Sequence, residues 1–143
     1  MKARRRARAV ALQALFEIDV AGHDPDRVLR QRVADWNLVG DGAEFARHLV
    51  EGTLKNLPHL DATITELAPE WPLDQMSPID RNILRISIFE MTLDPSIPMR
   101  VAINEAVELA KLFGSDSSRR FVNGALGTLA NKQLLKEGQS EDR

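Results

Sequence analysis

Arg4, Arg5, Arg6 and Arg8, with Lys2, place five of the chain's 19 basic residues in its first eight positions, and no acid interrupts them. Guanidinium groups at that density suit phosphate, because each presents a planar fork of N–H donors to the anion's oxygens. The cluster runs straight into an apolar helical pattern. At a helix N-terminus the dipole disfavours cations, by ~0.3–1 kcal/mol each when exposed. Helix stability therefore does not explain them; a polyanionic ligand does, and a solvated tail is the plainer alternative. A second cationic pair, Arg119-Arg120, precedes Phe121 at what reads as the start of the last helix, and Phe16 lies two turns beyond Arg8. Single-stranded RNA is held by charge along its backbone and by flat groups that stack on its bases. Core packing is the competing explanation for both phenylalanines. Asn123 is followed by Gly124 inside an apolar helical pattern, where glycine costs ~1 kcal/mol against alanine. Close helix contact, approach of a ligand or a packing notch would each account for it.

Little else in the chain points to chemistry. His23, His48 and His59 lie in or near different elements without metal-ligand spacing, and no Glu-x-x-His pair occurs. Glu105 and Glu108 stand one helical turn apart, a spacing open to an acid–base pair but equally to a solvated face with Glu108 paired to Lys111. Gly22, Gly40 and Gly42 form no phosphate loop, because no strand precedes them. The absence of cysteine excludes disulfides, thiolate-bound zinc and a thiol nucleophile, and suits a reducing compartment. We therefore expect no catalytic residue, no metal and no cofactor.

The elements that must position these residues are helical throughout. At 143 residues, 43% hydrophobic and 28% charged, the chain has the make-up of one globular domain. Val10, Leu12, Leu15, Phe16 and Ile18 form an apolar stripe after the arginines. Asp24-Pro25 opens a second helix; Asp41 or Gly42 starts a third that stops before Pro58; a fourth spans 60–67. Pro69, Pro72 and Pro78 make 69–77 a connector. Ser77, Pro78 and Asp80 then supply a cap, a first-turn proline and a first-turn acid for a helix over 79–93, apolar on most sides and so the most buried. A helix over 101–113 ends at Gly114, and Ser115, Ser117 and Ser118 offer caps for the last one. The pattern predicts an all-α protein of about seven helices in two helical subdomains, 1–68 and 78–136, joined by the connector and forming a single domain over 1–143.

Charge is distributed unevenly around a formal net charge of -2. Residues 41–116 carry 13 acids against six bases, whereas the ends are basic. Such asymmetry suggests a nucleic-acid-facing edge and a separate acidic surface for a basic partner. No apolar run approaches the ~20 residues of a membrane span. Glu17 and Asp19 interrupt the N-terminal pattern before it resembles a targeting peptide, which favours cytoplasmic retention. The acidic tail over 137–143 reads as a chain end.

Several blocks together resemble the NusB family of bacterial transcription antitermination factors. These are Arg4-Arg-Arg-Ala-Arg8 with Leu12-Gln-Ala-Leu15, Leu49-Val-Glu-Gly52, Ile83-Leu-Arg-Ile86 with Glu90, Ile97-Pro98, the run from Val101 to Lys111, Phe113-Gly114 and Phe121-Val-Asn-Gly124. The resemblance spans nearly the whole chain in order. It implies a two-subdomain helical fold without enzymatic activity. It further implies binding to the boxA segment of ribosomal RNA leader transcripts, jointly with NusE, a small-subunit ribosomal protein. The pair would act on the RNA polymerase elongation complex with other Nus factors. Carried over by motif, Arg4, Arg5, Arg6 and Arg8 become RNA-backbone contacts, and Phe16, Arg120, Phe121 and Asn123 the base-facing part. Glu90, Glu105 and Glu108 become the acidic surface for NusE, on the strength of charge.

Four positions depart from the family pattern. Phe16 stands where tyrosine is frequent and keeps the ring without the hydroxyl. Gln75 replaces a common basic residue. Gly127 and Thr128 replace a charged pair, which predicts a frayed last helix. Two other readings remain. The related recognition module of ribosomal-RNA cytosine methyltransferases would need a cofactor-binding α/β domain, for which the helical pattern leaves no room. A purely structural interaction protein would use the basic arm for solubility. A homodimer through an exposed apolar face stays open.

Overall fold

The computed structural model describes residues 2–141, so Met1 and the last two residues of the acidic tail lie outside it. Seven α-helices make up the described residues, with one 3-10 turn and no strand: α1 Ala3–Ala21, α2 Pro25–Asp35, α3 Gly40–Lys55, α4 Leu57–Leu67, α5 Pro78–Leu93, α6 Met99–Phe113 and α7 Ser118–Glu141. No helix among them is long and apolar enough to cross a membrane.

Local chemistry sets most of the boundaries. Asp24 caps α2 by accepting from the Arg27 N–H at 3.1 Å, with Pro25 at the first helical position. Ser77 caps α5 by accepting from the Asp80 N–H at 3.4 Å. Gly22 ends α1 in the left-handed region at φ 67°, its N–H donating to the Ile18 carbonyl. Gly114 is required for a different reason. A Cβ there would lie 2.5 Å from the Ser118 side chain, so the turn between α6 and α7 closes only over glycine. Pro58 falls inside the first turn of α4, where its missing N–H costs nothing, so α4 begins at Leu57, earlier than its proline suggests. The last helix also differs from expectation. It runs unbroken through Gly127 and Thr128 to Glu141, and the Thr128 hydroxyl donates back to the Gly124 carbonyl at 3.0 Å.

Packing is organised around α5, which touches α1, α3, α4, α6 and α7. Every residue of 82–90 is buried, including Asn82, Arg85, Ser87 and Glu90. The crossing of α5 with α3 is close enough that the Phe89 ring occupies the place of a side chain at Gly52. Alanines 7, 9, 11 and 14 are fully buried and let α1 approach its neighbours closely. Polar ties complete the frame. Asp19 of α1 accepts from Arg81 Nε at 2.7 Å, Asn82 Nδ2 at 2.9 Å and Arg85 Nη1 at 3.1 Å. Arg85 also forms a two-point bridge to Asp61 of α4. Arg81 Nη1 reaches the carbonyls of Leu73 and Met76, anchoring the connector on α5.

Candidate nucleic-acid interface

The arginine cluster separates into four different environments. Arg8 points inward: its side chain is 4% exposed and bonds Glu90, itself 1% exposed, through Nε–Oε1 at 3.1 Å and Nη2–Oε2 at 2.7 Å. This corrects two expectations at once. Arg8 is no surface cation for RNA, and Glu90 is no surface acid for a protein partner, because each satisfies the other in the core. Burial pushes the Glu90 carboxyl upward against the pull of Arg8. Arg6 donates to the Trp36 carbonyl at the end of α2. Arg5 forms a two-point bridge with Glu105 of α6, both bonds at 3.0 Å. Arg4 is exposed and lies over the Phe45 ring, 4.3 Å from its centroid.

Three grooves connect the remaining candidates. The largest, about 660 Å³, brings together Arg5 from the chain's start and Arg119, Arg120 and Asn123 from the first turns of α7. Arg119 and Arg120 are exposed and make no ion pair among the described residues. Glu105, Glu108 and Asp116 line the same groove. The acidic residues thus share a surface with the bases, where the charge pattern suggests separate ones. The Arg5 guanidinium holds the Glu105 carboxyl below its usual range, its hydrogen bond outweighing partial burial. Glu108 pairs with Lys111 at 3.6 Å, the i,i+3 contact open from the sequence.

The two phenylalanines line different grooves, each bordered by residues from the start of α5. Phe16 is half-buried in an apolar groove of about 420 Å³ with Leu12, Val20, Ile79 and Phe113. Phe121 lines a cavity of about 480 Å³ with Trp71, Gln75, Ser77, Asp80, Ser115 and Ser117. Trp71 is 53% exposed, and its ring centroid lies 6.0 Å from that of Phe121 at an interplanar angle of 42°. At the base of this cavity Asp80 is 8% exposed, and its Oδ1 has no hydrogen-bond partner. A buried carboxylate oxygen left unpaired calls for a donor. Trp71 and Asp80 line this cavity with Gln75, and neither of the two is singled out for RNA by the sequence. An aromatic residue flanked by Pro69 and Pro72 in a connector is the one sequence signal for Trp71. Asp80 reads there as a helix-start acid.

Packing does not explain Gly124. A Cβ placed on it meets nothing within 4 Å, so neither close helix contact nor a packing notch accounts for it. Its exposed backbone lies beside exposed Asn123 and one turn from Arg120.

A sequence model described as the NusB family matches residues 5–131. The chain belongs to the NusB family. Among curated NusB relatives, the transcription antitermination protein NusB of Chloroflexus aggregans is 47% identical over 141 residues, covering 97% of this chain and 94% of that protein. The protein of the same name from Roseiflexus sp. is 49% identical over 131 residues, covering 90% and 92%. Among solved NusB structures, that of T. maritima superposes with a TM-score of 0.82 at 32% identity, over 92% of each chain. A crystal structure of the antitermination factors NusB and NusE in complex with dsRNA gives a TM-score of 0.82 at 26% identity, over 92% of this chain and 98% of that one.

Proposed function

We infer that the protein is a transcription antitermination factor of the cytoplasm that binds boxA-type single-stranded RNA of ribosomal RNA leader transcripts together with NusE, and acts on elongating RNA polymerase. The observation that carries this reading is the joining of the chain's two basic ends in one groove, beside an aromatic cavity at the same helix start. In it Arg5, Arg119 and Arg120 hold phosphates, with Arg4 extending the cationic surface along α1. Trp71 and Phe121 offer stacking faces, Phe16 a further one across the start of α5. The unpaired Asp80 Oδ1 accepts from a base amino or imino group, and Asn123 offers both a donor and an acceptor. Glu108 lines the same groove beside the Arg5-bound Glu105 and meets cations of NusE.

The test is fluorescence anisotropy of a labelled boxA RNA oligonucleotide with wild type, Trp71→Ala and Phe121→Ala. Loss of one stacked base is expected to cost ~1–3 kcal/mol of affinity. Trp71 is mostly exposed, so its variant should melt like the wild type. Unchanged affinity in both variants would remove the aromatic cavity from the RNA site.

A further inference from the structure

Arg5 and Glu105 line two grooves at once. One is the large groove that contains Arg119 and Arg120; the other, about 560 Å³, lies between the start of α1 and the loop before α6, with Lys2, Arg4 and Pro98 on its walls. Their two-point bridge, both bonds at 3.0 Å across α1 and α6, is therefore the partition between these spaces. Its partners differ in freedom. The Arg5 side chain is 40% exposed, whereas Glu105 is 18% exposed and fixed on the middle turn of α6. Both forks of the carboxylate are taken by Arg5, so the guanidinium edge best shaped for a phosphate already faces an anion.

We propose that Glu105 is an intramolecular competitor of RNA phosphate for Arg5, and so sets the affinity of the protein for RNA. A phosphate entering either groove exchanges with the Glu105 carboxylate, and the exposed Arg5 side chain swings to follow it. A cation supplied by a basic protein partner would occupy the vacated carboxylate and release Arg5 at no cost in unpaired charge, coupling the two binding events. This rests on the RNA-binding reading given above. Glu105 is drawn toward its ionised form by Lys2 and Arg8 as well as by Arg5, which keeps it a competent competitor across the neutral pH range.

The experiment is a double-mutant cycle read by anisotropy of a boxA-type RNA oligonucleotide, with wild type, Glu105→Gln, Arg5→Ala and the double variant, and Glu108→Gln as a control for loss of one negative charge in the same groove. Glu105→Gln is expected to tighten RNA binding by roughly two- to fivefold, the scale of an exposed ion pair. That gain should exceed the gain from Glu108→Gln and vanish in the Arg5→Ala background. NusE should enhance the Glu105→Gln protein less than the wild type. Weaker or unchanged binding by a folded Glu105→Gln protein would overturn the proposal, because the pair would then position Arg5 or leave it unused. A gain that survives in Arg5→Ala would overturn it too, as a general effect of charge. Wild-type protein without RNA affinity would instead overturn the RNA reading, and this inference with it.

Discussion

Removing Arg8 separates a structural from an RNA-binding role for the arginine cluster. The Arg8–Glu90 pair is almost wholly buried, at 4% and 1% exposure, and its two short bonds leave no guanidinium edge open to a ligand on that side. Taking one partner from such a pair strands the other charge in the core, at a typical cost of ~3–5 kcal/mol. Domains of this size are stable by only ~5–15 kcal/mol, so Arg8→Ala should lose about a fifth of the total or more. Glu90, already raised by burial, should then protonate and recover part of the loss. The double variant Arg8→Met/Glu90→Leu removes both charges while keeping volume, and should lie close to wild type or above it. Urea unfolding followed by circular dichroism measures all three. A loss below ~1 kcal/mol in Arg8→Ala would refute the argument, since that is the range of an exposed pair. So would a folded Arg8→Ala protein whose main defect is RNA affinity.

Other predictions follow the same logic. Gly52→Ala should destabilise by ~1–3 kcal/mol in the same assay, because its Cβ would sit 2.2 Å from the Phe89 ring. Gly124→Ala meets nothing, so it should stabilise α7 by ~0.5–1 kcal/mol while weakening RNA binding; unchanged RNA affinity would exclude that face of α7 from the interface. Asp19 is held below its usual range: burial opposes ionisation, but hydrogen bonds from Arg81 and Asn82 and the nearby Arg85 charge prevail. A depressed carboxylate contributes stability that is complete above its unfolded value near ~3.9 and is lost as pH falls through its folded one. Asp19→Asn should therefore be less stable at neutral pH and lose less on acidification below about pH 4. Equal acid sensitivity in variant and wild type would contradict the role of Asp19.

The helices were legible because their signals are local. Asp24-Pro25, Ser77-Pro78 and Gly114 mark boundaries by backbone chemistry that a few neighbouring residues decide. The burial of α5 is legible from Ile83, Leu84, Ile86, Ile88 and Phe89, whereas that of the polar Asn82, Arg85, Ser87 and Glu90 between them is not. The site was legible only in part. Arg5, Arg120 and Asn123 were expected together and do share a groove. The partners of Arg5 and Arg8 lie 100 and 82 residues away, and no periodicity gives the register that brings α1 against α6 and α5. The same charges that read as a polyanion-binding arm therefore proved to be partly internal counter-ions. The cost of arginine at a helix start is met for Arg5 and Arg8 by ion pairing, which leaves Arg4, Arg119 and Arg120 as the more open cations. Asp80 shows the opposite limit: a helix-start acid is so ordinary in sequence that only its unpaired Oδ1 distinguishes it.

The most direct test of the account is the salt dependence of RNA binding, measured for the protein alone and with NusE. Affinity of the protein for a boxA-type oligonucleotide should fall as salt rises, with a logarithmic slope of ~0.7 for each phosphate neutralised. Replacing Arg4, Arg119 and Arg120 by alanine should flatten that slope, and NusE should raise affinity at every salt concentration. A slope that is unchanged in the triple variant, with no gain from NusE, would contradict the composite RNA site.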